Sequence, residues 1–198
     1  MPKILSTLSA PEIRDLLMAG AVGVMPSDTI YGVMCRAADE SATDRLYKLK
    51  SREHKPGTVI AANIDQLIAL GIKARYLKAV EQFWPGKVSV EIPNQVVYLN
   101  QGTGRQAFRL VDGPIELIKV LNQTGPLLTS SANHPGEPPA NTIAEAQNYF
   151  GDTADFYVDG GDLSGREPST VIRIVDDAIE VIRRGAVTID ESTGRIIQ

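Results

Sequence analysis

Ala21-Val22-Gly23-Val24-Met25, followed at once by Pro26-Ser27-Asp28-Thr29, is the stretch of sequence that decides the fold. The apolar run predicts a short buried strand, and the proline at its end delivers the chain into a polar loop. The same pattern returns where Leu127-Leu128-Thr129 leads into Ser130-Ser131-Ala132-Asn133. Binding and catalytic groups are often carried by polar loops at the ends of buried strands. Both loops are therefore candidate parts of a functional site.

The rest of the chain alternates between helical and strand patterns, with no linker, repeat or low-complexity segment. Ser9-Ala10-Pro11-Glu12 is typical of a capping box, and Ser41 is expected to cap a second helix. The alternation at 87–92 is typical of a half-exposed strand, and a terminal hairpin is expected to turn at Asp176-Asp177. Helices are predicted at 9–20, 41–51, 73–83, 114–121 and 142–150, and further strands at 58–62, 87–92, 107–111, 156–158, 170–175 and 178–183.

Helices and strands intermixed in this way, with a late hairpin, indicate an α/β fold with a mixed parallel and antiparallel sheet flanked by helices. The length of 198 residues and a content of 43% hydrophobic and 22% charged residues fit one globular domain, residues 1–198. No apolar stretch approaches the roughly 20 residues of a membrane helix, and no signal-peptide pattern is present, so we expect a cytoplasmic protein with no membrane partner. One cysteine and two histidines exclude a disulfide framework and an ordinary zinc site.

The net charge of −4 argues against a protein whose whole surface binds nucleic acid, so any anion site must be local. Lys48, Lys50, Arg52 and Lys55 fall within eight positions at a predicted helix end. There they either complement the helix dipole or bind a polyphosphate, and the spacing alone leaves both readings open. The loop at Ser130 is likewise either an ordinary hydroxyl turn or a phosphate or carboxylate site. Serine-hydrolase, P-loop and dinucleotide-binding fingerprints are absent from the sequence, which disfavours those classes.

Five segments in this order resemble one family, the YrdC-like threonylcarbamoyl-adenylate synthases. The resemblance covers residues 9–185, close to the whole chain. The segments that carry it are Pro26-Ser27-Asp28-Thr29-Ile30-Tyr31-Gly32, Lys50-Ser51-Arg52, Phe83-Trp84-Pro85-Gly86, Ser131-Ala132-Asn133, and Ser169-Thr170-Val171 followed by Arg183. Each match is weak alone, and the ordered set is strong.

The resemblance implies a twisted mixed sheet, curved around a basic concave cavity, in the short single-domain form of the family. It implies synthesis of threonylcarbamoyl-AMP from ATP, L-threonine and bicarbonate or carbon dioxide, with Mg²⁺ accompanying ATP and with pyrophosphate released. The product would pass to the machinery that modifies tRNA to N6-threonylcarbamoyladenosine. Carried over by motif, the ATP and catalytic residues would be Lys50 and Arg52, and further ATP ligands Lys55, Ser131, Asn133 and Arg183. The threonine ligands would be Thr29, Arg109, Thr129 and Ser169, with Arg109 pairing with the carboxylate of threonine.

Three alternatives remain at this point: a non-catalytic RNA- or tRNA-binding paralogue, a carbamoyl-adenylate domain of hydrogenase maturation, and a hydrolase-like paralogue. The intact Lys50/Arg52 and Ser131/Asn133 pairs favour the synthase. Arg105 and His134 depart from the pattern of the family, which affects how the nucleotide is placed. Lys50 and Arg52 are expected to face solvent, so that their replacement by alanine would abolish turnover with little effect on folding. Asp28 is considered as a general base or, preferably, as a cap at the end of the strand.

Overall fold

The computed structural model describes residues 1–9, 11–176 and 178–197. The strands are β1 (Lys3–Leu5), β2 (Gly23–Pro26), β3 (Tyr31–Arg36), β4 (Thr58–Ala61), β5 (Val88–Pro93), β6 (Arg105–Leu110), β7 (Leu127–Ser131), β8 (Phe156–Val158), β9 (Thr170–Val175), β10 (Ala178–Arg183), β11 (Thr188–Ile189) and β12 (Ile196–Ile197). The α-helices are α1 (Glu12–Met18), α2 (Glu40–Leu49), α3 (Ile64–Ala69), α4 (Ala74–Val80), α5 (Val97–Asn100), α6 (Ile115–Thr124) and α7 (Ile143–Phe150).

Ten strands form one sheet in the order β1-β8-β2-β3-β7-β4-β6-β5-β9-β10. The pairs β1/β8, β2/β8, β4/β6 and β5/β9 are parallel, and the other neighbours are antiparallel. The predicted mixed α/β sheet is thus confirmed. Because the order is far from sequential, β7 lies between β3 and β4, and this places the polar ends of β2, β3 and β7 side by side.

Both faces of the sheet carry an apolar core. On β3, Val33 and Cys35 belong to one buried cluster and Met34 to the other, as expected when successive side chains point to opposite faces. Leu17 of α1 and Leu121 of α6 belong to the cluster of Met34, whereas α2, α4 and α7 contribute to the cluster of Val33. Among the described residues no helix is long and apolar enough to cross a membrane.

Several local predictions are corrected by the structure. Helix α2 begins at Glu40, with the Asp39 side chain accepting from the N–H of Ala42, so Ser41 is not its cap. Helix α1 is preceded by Pro11 without a side-chain cap, so the capping box at Ser9 is wrong, and its Ala10 lies outside the described residues. The terminal hairpin of β9 and β10 is confirmed, although Asp177 of its turn also lies outside them.

Other differences have a tertiary cause. Strand β5, expected to be half exposed, is largely buried because it lies inside the sheet between β6 and β9. Strand β3 is not predicted, because its motif reads as a continuation of the polar loop, yet it pairs with β2 as a hairpin. The elements β1, α3, α5, β11 and β12 are also missed, since each has two to six residues and shows no clear periodicity.

Candidate functional site

The first feature of the site is a cavity of about 500 Å³ that we call the arginine cavity. Among the described residues that line it, one is a carboxylate, Glu91, whose Oε1 lies 2.7 Å from Nη2 of Arg173. Burial lowers the pKa of Arg183, and the nearby charges of Arg109 and Arg52 act in the same direction. These positive charges therefore converge on one space. The arginines that line it are Arg52, Arg105, Arg109, Arg173 and Arg183.

A second cavity of about 1140 Å³, the lysine cavity, adjoins the first. The two cavities share Arg52, Ser130 and Ser131. Its charges are more nearly balanced than those of the arginine cavity. Its cationic lining residues are Lys48, Lys50, Arg52 and Lys55, and its acidic ones are Glu40, Asp44 and Glu53.

The residues predicted for the site all line one of these two cavities. Those that line the arginine cavity are Thr29, Arg52, Arg109, Thr129, Ser131, Ser169 and Arg183. Those that line the lysine cavity are Lys50, Arg52, Lys55, Ser131 and Asn133. Residues from across the chain are therefore brought together, although their individual roles remain predictions.

Lys50 directly follows the end of α2 and is nearly enclosed, with 3% of its surface exposed. Its Nζ donates to the backbone oxygen of Ser131 at 2.7 Å, to Oδ1 of Asn133 at 3.0 Å, and to the backbone oxygen of Asn133. Burial, together with the nearby charge of Arg52, lowers the pKa of Lys50 to about 8. The expectation that Lys50 faces solvent is wrong, because this ammonium holds the loop after β7.

Arg52 forms the boundary between the two cavities. Its Nη1 donates to Oγ of Ser130 at 2.7 Å, and its backbone oxygen accepts from Nε2 of Gln101 at 2.8 Å. Ser130 is buried and lies on β7, one residue before Ser131. The guanidinium is thus fixed by β7, and the backbone of Arg52 is fixed by the chain after α5.

Hydroxyl groups also line the arginine cavity. The Oγ atoms of Ser169 and Ser89 are 2.8 Å apart, and Nη2 of Arg183 donates to the backbone oxygen of Ser169 at 2.6 Å. Oγ1 of Thr29 lies 3.0 Å from Oγ of Ser27. An irregularity in the β9–β10 pairing falls between Val181 and Arg183, next to the point where Arg183 reaches Ser169. These hydroxyls and the arginine are suited to binding a small polar ligand.

Arg109 on β6 is buried together with a carboxylate. Its Nη2 donates to Oδ1 of Asp28 at 2.6 Å, and the two side chains are 3% and 2% exposed. Burial raises the pKa of Asp28, although the charge of Arg109 opposes that shift. Asp28 therefore pairs with an arginine rather than capping the strand, and the predicted partner of Arg109, a substrate carboxylate, would meet a guanidinium that is already held.

Close approach of two strands shapes the floor of the arginine cavity. A Cβ atom on Gly32 of β3 would lie 2.4 Å from Oγ1 of Thr129 and 3.3 Å from the backbone oxygen of Ser130. A larger residue would therefore require the Thr129 side chain to move and β7 to yield slightly. The glycine after Tyr31 therefore lets β7 bring its hydroxyl residues to the site.

Known proteins share both the sequence pattern and the fold of this chain. A family model for Sua5, YciO and YrdC proteins, described as telomere recombination, matches residues 15–185. This chain belongs to the Sua5/YciO/YrdC family. It is 32% identical over 176 residues to the threonylcarbamoyl-AMP synthase of Pseudomonas aeruginosa, covering 86% of this chain and 94% of that protein.

Two solved structures share the fold of this family member. P. abyssi Sua5 complexed with L-threonine superposes with a TM-score of 0.80 at 22% identity, covering 93% of this chain. This chain spans 58% of the length of that one. E. coli YciO gives a TM-score of 0.79 at 20% identity, covering 94% of this chain and 97% of its own.

Some lining residues of this family member are not predicted from its sequence. Glu91 and Arg173 are missed, and the signal available for them is their opposite charge at paired positions of β5 and β9. Ser130 belongs to a predicted candidate loop, but no role is predicted for it individually. Arg105, noted as a departure, lines the arginine cavity. His134, the other departure, packs edge-on against Tyr149 and Phe150, with ring centroids 5.4 and 5.5 Å away, and lines neither cavity.

The donor groups of the site suit anions better than a resident metal. Within residues 1–9, 11–176 and 178–197, no three His, Cys, Asp or Glu side chains lie close enough together to hold a metal ion. Arginine and hydroxyl groups instead bind carboxylates and phosphates well. Mg²⁺ would therefore arrive as the companion of a nucleotide substrate.

Proposed function

We propose that this chain is a threonylcarbamoyl-AMP synthase that combines L-threonine, bicarbonate or carbon dioxide, and ATP, and releases pyrophosphate. The observation that carries the proposal is the pair of adjoining cavities that share Arg52, Ser130 and Ser131. One reaction that joins a small amino acid to a large nucleotide needs two unequal subsites with a common boundary. Two relatives support it, the synthase of P. aeruginosa by its name and P. abyssi Sua5 by its bound threonine.

Threonine fits the smaller, arginine cavity. Arg109 would bind its carboxylate, and the hydroxyl groups of Thr29, Thr129 and Ser169 would bind its polar atoms. The remaining arginines of that cavity leave a positive potential where the new carbamate carries negative charge. A carbamate is short-lived in water, so the reaction would also benefit if bound substrates displace water from this cavity.

ATP fits the larger, lysine cavity, with its phosphates at the shared boundary. Arg52 would face the phosphates from that boundary, with Arg183 across the arginine cavity and with Lys50 and Lys55 on the other side. Ser131 and Asn133 lie on the loop that Lys50 holds and would help to place the nucleotide. Mg²⁺ would arrive with the phosphates and neutralise part of their charge.

The chemistry needs no covalent intermediate on the protein. The amine of threonine attacks the carbon of carbon dioxide, formed from bicarbonate with loss of water, to give a carbamate. A carbamate oxygen then attacks the α-phosphorus while the bond to the β-phosphate oxygen breaks, so that pyrophosphate leaves. Arg52 and Arg183 stabilise the charge that develops there, and the two subsites hold the reactants in line.

The product would be consumed by the enzymes that transfer its threonylcarbamoyl group to tRNA. The direct test is pyrophosphate release by purified protein with Mg²⁺, omitting ATP, bicarbonate and threonine in turn. Release should need all three substrates. Binding of RNA without any release would contradict the synthase and favour a non-catalytic RNA- or tRNA-binding protein.

A further inference from the structure

The buried pair of Asp28 and Arg109 is not explained by stability. Replacing a buried ion pair by apolar residues is often neutral or stabilising, so burial of this pair calls for another reason. Oδ2 of Asp28 and Nε of Arg109 are both buried without a hydrogen-bond partner among the described residues. Unsatisfied buried polar atoms are uncommon in folded proteins and are costly where they occur. The pair therefore keeps the guanidinium of Arg109 in one orientation, although this leaves two buried polar atoms without a hydrogen bond.

The contacts of Arg109 show what that orientation leaves free. Nη2 is bound to Asp28, and Nε is buried. Nη1 makes no hydrogen bond to the described residues and is not among the buried atoms without a partner, and Arg109 lines the arginine cavity. Nη1 is therefore the guanidinium nitrogen left to bind a ligand there. Asp28 itself does not line that cavity but lines a separate cavity of about 830 Å³. The carboxylate thus holds the arginine from behind and does not touch a ligand in the arginine cavity.

The loop that carries Asp28 is held in place by its own hydrogen bonds. The backbone N–H and Oγ of Ser27 both donate to the backbone oxygen of Ile30, at 3.2 and 2.7 Å. Thr29, the next residue, presents its side chain to the arginine cavity while its N–H donates to Oγ of Ser27 at 3.1 Å. Asp28 therefore has a fixed position from which it can hold Arg109, and functional groups supported in this way keep their binding geometry.

The charges around Arg109 also indicate that Asp28 holds it in position. Arg183 is close enough to Arg109 for their like charges to act on each other, and it also feels the charge of Arg52. Without a carboxylate behind it, the guanidinium of Arg109 would be repelled by Arg183 and would lose its position. Asp28 supplies the opposite charge at 2.6 Å, within the buried part of the side chain.

From these contacts we propose that Asp28 is a positioning residue of the threonine subsite, which fixes Arg109 so that Nη1 faces the carboxylate of the bound amino acid. The inference rests on the proposed function. It gives Asp28 no proton-transfer role, because its carboxylate faces Arg109 and not the arginine cavity. It predicts that the effect of Asp28 on threonine passes entirely through Arg109.

A double-mutant cycle tests this with Asp28→Asn, Arg109→Gln and the double variant, in the pyrophosphate-release assay. Asp28→Asn should raise the KM for threonine about 10- to 100-fold, the range of a charge-assisted hydrogen bond, and leave the KM for ATP within about twofold. In the Arg109→Gln background, Asp28→Asn should alter the KM for threonine by less than about twofold, because the contact of Arg109 with the threonine carboxylate is already lost.

Additive effects in the two backgrounds, or an unchanged KM for threonine in Asp28→Asn, would overturn the inference. If Asp28→Asn fails to fold because Arg109 is left unpaired, Asp28→Glu, which keeps the charge but displaces the carboxylate, takes its place in the same cycle with the same criteria. Asp155→Asn is the matched control, since it removes the carboxylate of another Arg–Asp pair, with Arg45, and neither of these residues lines either cavity. It should leave both KM values unchanged. Wild-type protein that releases no pyrophosphate would instead refute the proposed function.

Discussion

The arginine cavity and the lysine cavity share a boundary but hold their charges in different ways. In the arginine cavity four of the five arginines lie on strands of the sheet, Arg105, Arg109, Arg173 and Arg183. In the lysine cavity the cations lie on and after the end of α2, and Lys48 is paired with Asp44 on the surface at 2.6 Å, with both side chains largely exposed. Surface pairs of this kind contribute little energy, whereas buried charges are screened little by salt.

This difference separates the charges that have a fixed position for substrate binding from those that do not. A charge on a strand that is held by hydrogen bonds or an ion pair, as Arg109, Arg173 and Arg183 are, keeps its position when a substrate enters. An exposed lysine on a helix offers charge without a fixed position, because its long side chain is flexible. Arg52 and Lys50 are the exceptions near α2, since each is held by hydrogen bonds to β7 or the loop after it.

The largest expected effect is that of Arg52→Ala. Loss of the guanidinium shared by both cavities should lower kcat/KM by about 10²–10³, as expected for a preorganised charge at the reacting phosphate. The measurement is steady-state pyrophosphate release. Lys48→Ala is the matched control, because it removes a paired surface cation from the same region. Equal losses of kcat/KM in the two variants would contradict the distinction between charges held by hydrogen bonds and exposed charges.

The next effect is on stability. Lys50→Ala should lower the free energy of unfolding by about 2 kcal/mol, because the carbonyl groups after β7 lose a charged donor in a buried position. Urea denaturation measures it. Lys55→Ala, an exposed lysine of the same cavity, should change the free energy of unfolding by no more than about 0.5 kcal/mol. If Lys50→Ala is as stable as Lys55→Ala, the loop is not held by this ammonium.

A smaller effect concerns pH. Burial lowers the pKa of Lys50 to about 8, so its side chain is charged below that pH. It loses the proton, and with it the charge, as the pH rises through that value. The kcat/KM for ATP of wild type should therefore decline above about pH 8 relative to Lys50→Arg, which stays charged. Taking the ratio of the two profiles removes the pH dependence of the threonine amine, which both share. A constant ratio from below to above pH 8 would contradict this role of Lys50.

Much of the site could be predicted because its residues follow strand ends and a helix end that are readable locally. The loops after β2 and β7 and the cations after α2 are contiguous in sequence, and a resemblance carried by ordered motifs adds Arg109 and Arg183. These groups do line the two cavities.

The partners of these residues could not be predicted, because they depend on strand order. Asp28 and Arg109 are 81 positions apart, and Glu91 and Arg173 are 82 apart. Only the pairing of β5 with β9 brings the second pair together. Lys50 was expected to face solvent because its position after a helix says nothing of the loop from β7 that covers it.

The most direct test of the central claim is mass detection of the adenylate formed from isotope-labelled bicarbonate, ATP and L-threonine. The account predicts threonylcarbamoyl-AMP that carries the label in its carbamate carbon, formed by wild type and strongly reduced in Arg52→Ala. Absence of any labelled adenylate from folded wild-type protein supplied with all three substrates and Mg²⁺ would contradict it.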